Sequence, residues 1–232
     1  MSDKVAVVTG GGTGIGAATG MALAEAGFKV VVCGRRAEPL REVEQRIQQA
    51  GGACLVHAAD VGDHRALEGL VQDAMKHFGR IDVWVNNAAI AAVAGLGEID
   101  FSEINGMLRI NATGLTYACK TVWPIMQAQG GGTIINISSA ASFDPFPGLE
   151  VYGATKAYVN ALTKGLAAEG KKHNIRVFAV APGAVETAML RSGFPDIPAA
   201  ACLAPADIAA VVVALTRGAF AHSTGETIRV QR

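Results

Sequence analysis

The chain has 232 residues, half of them hydrophobic and only 17% charged, with 20 lysines and arginines balancing 20 aspartates and glutamates. That balance leaves no basic footprint for nucleic acid or an anionic membrane, and apolar runs such as 208–215 are far too short to span a bilayer. Length, the absence of a composition break and the lack of a basic-then-apolar leader predict one domain over residues 1–232, soluble and cytoplasmic.

A four-residue apolar run, Val5–Val8, leads into five glycines in seven residues, Gly10–Gly16, and then into helix-forming sequence over 17–26. The order reads strand, tight turn, helix. Glycines allow positive φ and close approach, so free N–H groups and a helix N-terminus can face an anion. Gly12, Gly14 and Ala17 fit the general dinucleotide fingerprint, and Gly10, Gly14 and Gly16 fit a second spacing at the same place. The expected ligand of this turn, with Thr13 and Ile15 between its glycines, is a dinucleotide pyrophosphate.

Lys29–Cys33 is a second apolar strand, and its tip carries Arg35 and Arg36 with no carboxylate between. A carboxylate there would accept the ribose hydroxyls and exclude a 2′-phosphate; two guanidiniums instead suit that phosphate. The expected cofactor is therefore NADP(H), with NAD(H) possible because Glu38 is near enough to reach a ribose. Pro39 sits in the first turn of a helix whose Leu40, Val43, Ile47 and Ala50 repeat at helical spacing, and Gly51 and Gly52 end it.

Leu55–Ala59 forms a third strand. Asp60 after it is a candidate acceptor for the adenine amino group, with Val61 packing on the ring; the competing reading is that Asp60 and Asp63 cap the next helix. That helix shows Leu67, Leu70, Val71, Ala74, Met75 and Phe78 on one face and stops at Gly79. Ile81–Val85, a fourth strand, runs into Asn86 and Asn87, readable as turn residues or as cofactor neighbours.

A long helix is expected from about Ser102 to Gln129, bent at Pro124. Thr133–Ile137 is a fifth strand, followed by a helix over 150–172, a strand over 176–180, a helix over 206–216 and a strand over 227–230. This alternation predicts a doubly wound Rossmann α/β fold, an about seven-stranded parallel sheet between two helical layers, with ligands beyond the carboxyl ends of the strands.

Tyr152 and Lys156 lie four apart in helical sequence, so their side chains leave one face together. An ammonium beside a phenol would lower the phenol's pKa from near 10 and fit it for acid–base work. Ser138 and Ser139 end the fifth strand at the same rim, where a hydroxyl could bond a carbonyl and steady developing oxyanion charge. The surroundings of Ser139 are not a G-x-S-x-G elbow, which disfavours acyl transfer. Cys33, Cys54, Cys119 and Cys202 are scattered, without a CxxC pair or matching histidines, so buried thiols and no metal site are expected.

Taken together these motifs resemble the short-chain dehydrogenase/reductase family, in its single-Rossmann-domain branch. The resemblance runs over nearly the whole chain: Thr9 to Gly16, Asp60-Val61, Asn86-Asn87-Ala88, Asn111, Ser139, Tyr152 with Lys156, and Pro182-Gly183 with Thr187. It implies that Tyr152 is the catalytic acid/base and that Lys156 both lowers its pKa and holds the nicotinamide ribose. Ser139, thirteen residues before Tyr152, matches the substrate-orienting serine, and Asn111 the asparagine that holds a relay water. The segment Pro182, Gly183 and Thr187 would pack on the nicotinamide and its phosphate, and Ala88 and Val185 are further expected cofactor-binding residues. The implied activity is hydride transfer between the nicotinamide and a small or medium carbonyl or alcohol. The implied assembly is a homodimer or homotetramer through the long helices after strands four and five.

Two positions depart from the family pattern. Ala89 stands where a glycine is usual, and the C-terminal Gln231-Arg232 lacks the usual glycine pair. The substrate walls are expected in 90–97, 143–149 and 188–205, mostly apolar, with Phe143 and Phe146 available and Arg191 as the prominent cation. Two other classes fit part of the pattern: an NADP(H) sensor without turnover, which tends to lose the tyrosine and lysine, and a Rossmann methyltransferase, which would show an acid in place of Arg35.

Overall fold

The computed structural model describes residues 3–232. Seven strands, β1 (Val5–Thr9), β2 (Lys29–Gly34), β3 (Cys54–Ala58), β4 (Val83–Asn86), β5 (Gly132–Ile137), β6 (Ile175–Pro182) and β7 (Thr227–Val230), form one sheet. Its order is β3-β2-β1-β4-β5-β6-β7, and every neighbouring pair is parallel. Winding reverses between β1 and β4, which opens a crevice at their carboxyl ends where a ligand can sit.

The strands are β-branched and apolar because both faces are covered. In β1, Val5 and Val7 pack toward α3 (His64–Phe78), α5 (Leu115–Ala128) and α6 (Glu150–Gly170). Ala6 and Val8, on the opposite face, pack toward α1 (Gly14–Glu25), α2 (Ala37–Gln49) and α8 (Pro205–Leu215). The period of two thus feeds two separate cores.

Three elements differ from the sequence expectation. Helix α1 starts at Gly14, not Ala17, because Thr13 is extended and the last glycines of the turn already form the first helical turn. The expected helix over 102–129 divides into α4 (Phe101–Met107), a π-helical stretch Leu108–Gly114, and α5, which runs without interruption through Pro124. Gly114 ends that stretch where a Cβ would lie 2.8 Å from the Val61 carbonyl oxygen, and Asn111 within it reaches a neighbouring loop. A short helix unforeseen in the sequence, α7 (Ala188–Gly193), is capped by Thr187, whose hydroxyl accepts from the Leu190 amide at 3.2 Å.

Among the described residues no helix is long and apolar enough to cross a membrane, and no cluster of three or more metal-ligating side chains occurs. Cys33, Cys119 and Cys202 are buried and Cys54 is half-buried, all as free thiols; burial pushes Cys33, Cys54 and Cys119 up to about 12.

Candidate active site

The glycine turn is packed from below. At Gly10, with φ +65°, a Cβ would come 2.7 Å from Asn87 Nδ2; at Gly16 it would collide with the Gly10 carbonyl and the same amide. Asn87 fills that space and donates from Nδ2 to the carbonyls of Thr9 and Gly10, at 3.0 and 3.1 Å. The Thr9 hydroxyl, in turn, accepts from the amides of Asn87 and Ala88 at 3.1 and 3.2 Å. This explains the Gly10, Gly14, Gly16 spacing: two glycines admit a brace and Gly14, at φ +53°, turns the chain. Gly12 faces Pro39 instead, where a Cβ would lie 3.1 Å from the ring.

The first turn of α1 has neither a side-chain cap nor an acidic residue, so its N–H groups point outward without a competing anion. They open onto a cavity of about 1150 Å³ along the carboxyl edge of the sheet. Every expected cofactor and catalytic residue lines it except Gly16, beneath the turn, and Asn111.

At one end stand Arg35 and Arg36, both exposed, at the tip of β2. Glu38 does not line the cavity and pairs with Arg41 at 3.9 Å. Asp60 accepts from the Gly62 amide at 2.9 Å and from Arg109 at 3.1 Å. Burial raises its pKa, but those two bonds together with the charges of Arg109 and Arg35 outweigh it and hold the carboxyl below the ordinary value. The cap of α3 is Asp63 alone, which accepts from Arg65 N at 2.9 Å. The asparagine pair divides its labour: Asn86 turns into the core, accepting from Trp84 and donating to Asn136, while Asn87 braces the turn.

At the other end, α6 brings Tyr152 and Lys156 against the end of β5. Lys156 is 3% exposed; its Nζ donates to the Ile137 carbonyl at 2.8 Å and lies 5.6 Å from the centroid of the Tyr152 ring. Burial lowers the Lys156 pKa to about 8. Burial pushes Tyr152 up to about 12, against a hydrogen bond from Ser139 that pulls it down. The shift is opposite to the expectation that the ammonium would lower the phenol, because desolvation dominates in this pocket. Tyr152 is accordingly a protonated phenol at neutral pH. Ser139 is half-buried at the cavity, whereas Ser138 is buried and donates to the Lys156 carbonyl at 3.2 Å.

Asn111, on the π-helical stretch and 1% exposed, anchors the loop after β4. Its oxygen accepts from Ile90 N at 2.9 Å, and its Nδ2 donates to Ile90 O at 2.8 Å and Thr155 Oγ1 at 3.1 Å. Both amide protons are committed.

The three expected walls meet over the cavity, through residues such as Val93, Phe146, Met189 and Phe194, and Ala89 lines it as well. Two expected wall residues do not. Phe143 lies under the Arg229 guanidinium, 3.7 Å from centroid to carbon, and Arg191 faces away from the cavity. Arg191 donates to Glu186 Oε1 at 2.7 Å and to the carbonyls of Pro195 and Ile197 at 3.1 and 2.6 Å, so it is a brace of the wall, not a cation offered to substrate. Sequence reasoning missed Gln231 and Arg232, which also line the cavity. Their place just past β7, at the carboxyl edge, was the available signal.

Comparison with known proteins agrees with this geometry. The family model described as short chain dehydrogenase matches residues 4–197. An uncharacterized oxidoreductase of Staphylococcus saprophyticus is 37% identical over 231 residues, covering 99% of this chain and 98% of that protein. The 3-ketoacyl-(acyl-carrier-protein) reductase of Brucella melitensis, solved with NADH, superposes with TM-score 0.91 at 30% identity, over 98% of this chain and 96% of the other. The gluconate 5-dehydrogenase of Burkholderia cenocepacia, solved with NADP and tartrate, gives TM-score 0.93 at 29% identity, over 100% and 94%.

Proposed function

The chain belongs to the short-chain dehydrogenase family and is an oxidoreductase, and from that premise we propose that it uses NADP(H) to interconvert a small or medium carbonyl compound and its alcohol. What carries this reading is the convergence of Ser139, Tyr152 and Lys156 on the cavity that the glycine turn also opens onto. Family membership removes the methyltransferase alternative.

The cradle fits a dinucleotide: uncapped amides at the start of α1 for the pyrophosphate, glycine positions that a Cβ would block, and two guanidiniums at the tip of β2 for a 2′-phosphate. A bound nicotinamide would supply or take the hydride. Asp60 and Val61 would flank the adenine, and Ala88, Pro182, Gly183, Val185 and Thr187 would border the nicotinamide half. Ser139 would donate a hydrogen bond to the substrate oxygen, and Tyr152, held protonated by burial, would give that oxygen its proton during reduction. Lys156 would hold the ribose hydroxyls and, charged below about pH 8, favour the phenolate that remains. A relay water at Asn111 would have to donate to one of its oxygens, main-chain or side-chain, since both amide protons are engaged. The helices around the π-helical stretch and α6 are the proposed homodimer or homotetramer contact, exposing Phe101, Leu108 and Tyr158.

The test is NADPH consumption across aldehydes, ketones, diketones and 3-ketoacyl thioesters, with Tyr152→Phe as control. Turnover lost by about 10² to 10⁴-fold in the variant, with NADPH binding retained, is the expected result. Tight NADPH binding with no consumption of any panel member would point to a sensor instead.

A further inference from the structure

Helix α6 carries a third polar side chain one turn beyond Lys156. Asn160 Nδ2 donates to Ser142 Oγ at 2.8 Å, and Ser142 Oγ donates to the Ser139 carbonyl at 2.6 Å. Ser139 sits at the start of the short 3-10 turn Ala140–Ser142. Its carbonyl accepts the Ser142 amide at 3.0 Å, and its hydroxyl accepts the Ala141 amide at 3.2 Å. The same turn touches α6 at a second point: a Cβ at Gly153 would lie 2.6 Å from the Ala141 carbonyl oxygen. The turn bearing Ser139 is therefore pinned to the helix bearing Tyr152 and Lys156 at two adjacent residues, Ala141 by close packing at Gly153 and Ser142 by a directed hydrogen-bond chain at Asn160.

With Asn160 Nδ2 turned to Ser142, the direction of that chain follows. An amide nitrogen can only donate, so the Ser142 hydroxyl accepts from Asn160 and has its single proton left for the Ser139 carbonyl. The Asn160 oxygen is buried and has no protein partner, which is unfavourable for stability. A side chain retained for packing alone would gain from being apolar at this position.

We infer that Asn160, acting through Ser142, is a positioning residue that sets the Ser139 hydroxyl toward Tyr152; the inference rests on the roles proposed above for Ser139 and Tyr152. The discriminating substitution is Asn160→Asp. It keeps the shape but turns the donor into an acceptor, so the Ser142 proton swings to the carboxylate and releases the Ser139 carbonyl. Ser142→Ala removes the same link by deleting one hydroxyl, and serves if the buried charge prevents folding.

Two measurements test this in the full-length chain. In hydrogen exchange, the amides of Ala141 and Ser142 should exchange about tenfold faster in either variant, with those of α6 unchanged. In steady-state reduction with NADPH and the panel carbonyl turned over fastest, kcat should fall about tenfold while the KM for NADPH stays within about twofold. In a Ser139→Ala background the further substitution should leave kcat where it is, because the group it positions is gone. Unchanged exchange, or the same proportional loss of kcat with and without the Ser139 hydroxyl, would overturn the inference. If the wild-type chain reduced no panel member, the functional reading would fail, and the exchange arm alone would still decide whether Asn160 holds the turn.

Discussion

Arg191 grips both carboxylate oxygens of Glu186 while the same guanidinium bonds the carbonyls of Pro195 and Ile197. One side chain thereby ties the strand-to-helix connection after β6 to the loop that follows α7. Glu186 and the wall residues Met189, Leu190, Phe194 and Ile197 all line the cavity, so the brace sets one wall's shape from behind. Removing it with Arg191→Ala should raise the KM for substrate and cofactor together, about three- to tenfold, and make 188–204 a preferred site of proteolytic nicking. Arg191→Lys cannot reproduce the fork and should recover little of this. Unchanged KM values and an unchanged cleavage pattern would count against the wall being held this way.

Burying Lys156 destabilises the fold wherever the ammonium stays charged. Its pKa falls from 10.5 to about 8, so between those values the unfolded chain binds the proton that the native chain has released, and stability should rise with pH across that window. The full difference corresponds to about 3 kcal/mol below pH 8. Lys156→Met removes the charge but leaves the Ile137 carbonyl without its donor, so the net gain at pH 7 should be about 1 to 2 kcal/mol, shrinking by pH 10. Urea denaturation at both pH values checks this, alongside loss of turnover.

Arg35 and Arg36 are proposed to discriminate between cofactors by one phosphate. Replacing both with alanine should lower the ratio of NADPH to NADH affinity by about 10 to 100-fold, the worth of one or two charge-assisted hydrogen bonds. Direct titration of both dinucleotides measures the ratio; an unaltered ratio would reject the assignment.

Gly16 makes no contact with the cavity, yet it should be among the least replaceable residues. Gly16→Ala forces a methyl into the Gly10 carbonyl and the Asn87 amide, backbone and braced side chain that cannot yield cheaply. A stability loss of about 2 to 4 kcal/mol is expected, with cofactor binding lost as the turn deforms. Gly12→Ala, whose methyl would come no nearer than 3.1 Å to the Pro39 ring and 3.4 Å to the Pro39 and Leu40 backbone, should be milder in stability, and the pair can be compared by thermal denaturation and NADPH titration.

The sheet was legible because its strands are apolar on both faces and separated by well-punctuated helices, so all seven appear in the sequence in order. The proposed catalytic cluster was legible for a local reason: Tyr152 and Lys156 are four apart on a helix, and Ser139 follows the end of a strand. What could not be read depends on partners far along the chain. The π-helical stretch meets a Val61 carbonyl and an Ile90 loop, neither of which changes the periodicity of 102–129. Arg191 looks like a free cation until Glu186 folds back on it, and Phe143 like a wall until Arg229 covers it. The direction of the Tyr152 pKa is likewise a property of the packed pocket, since the sequence shows the ammonium beside the phenol but not how much water both have lost.

The brace beneath the glycine turn bears on affinity as well as on shape. Asn87 and Thr9 hold the turn through four hydrogen bonds made wholly within the protein. The conformational entropy of those residues is consequently surrendered during folding, before any dinucleotide arrives. Association would then meet a rigid, preorganised receptor and forfeit little freedom in the loop proposed to grasp the pyrophosphate, so contacts made there would translate into binding free energy with little discount.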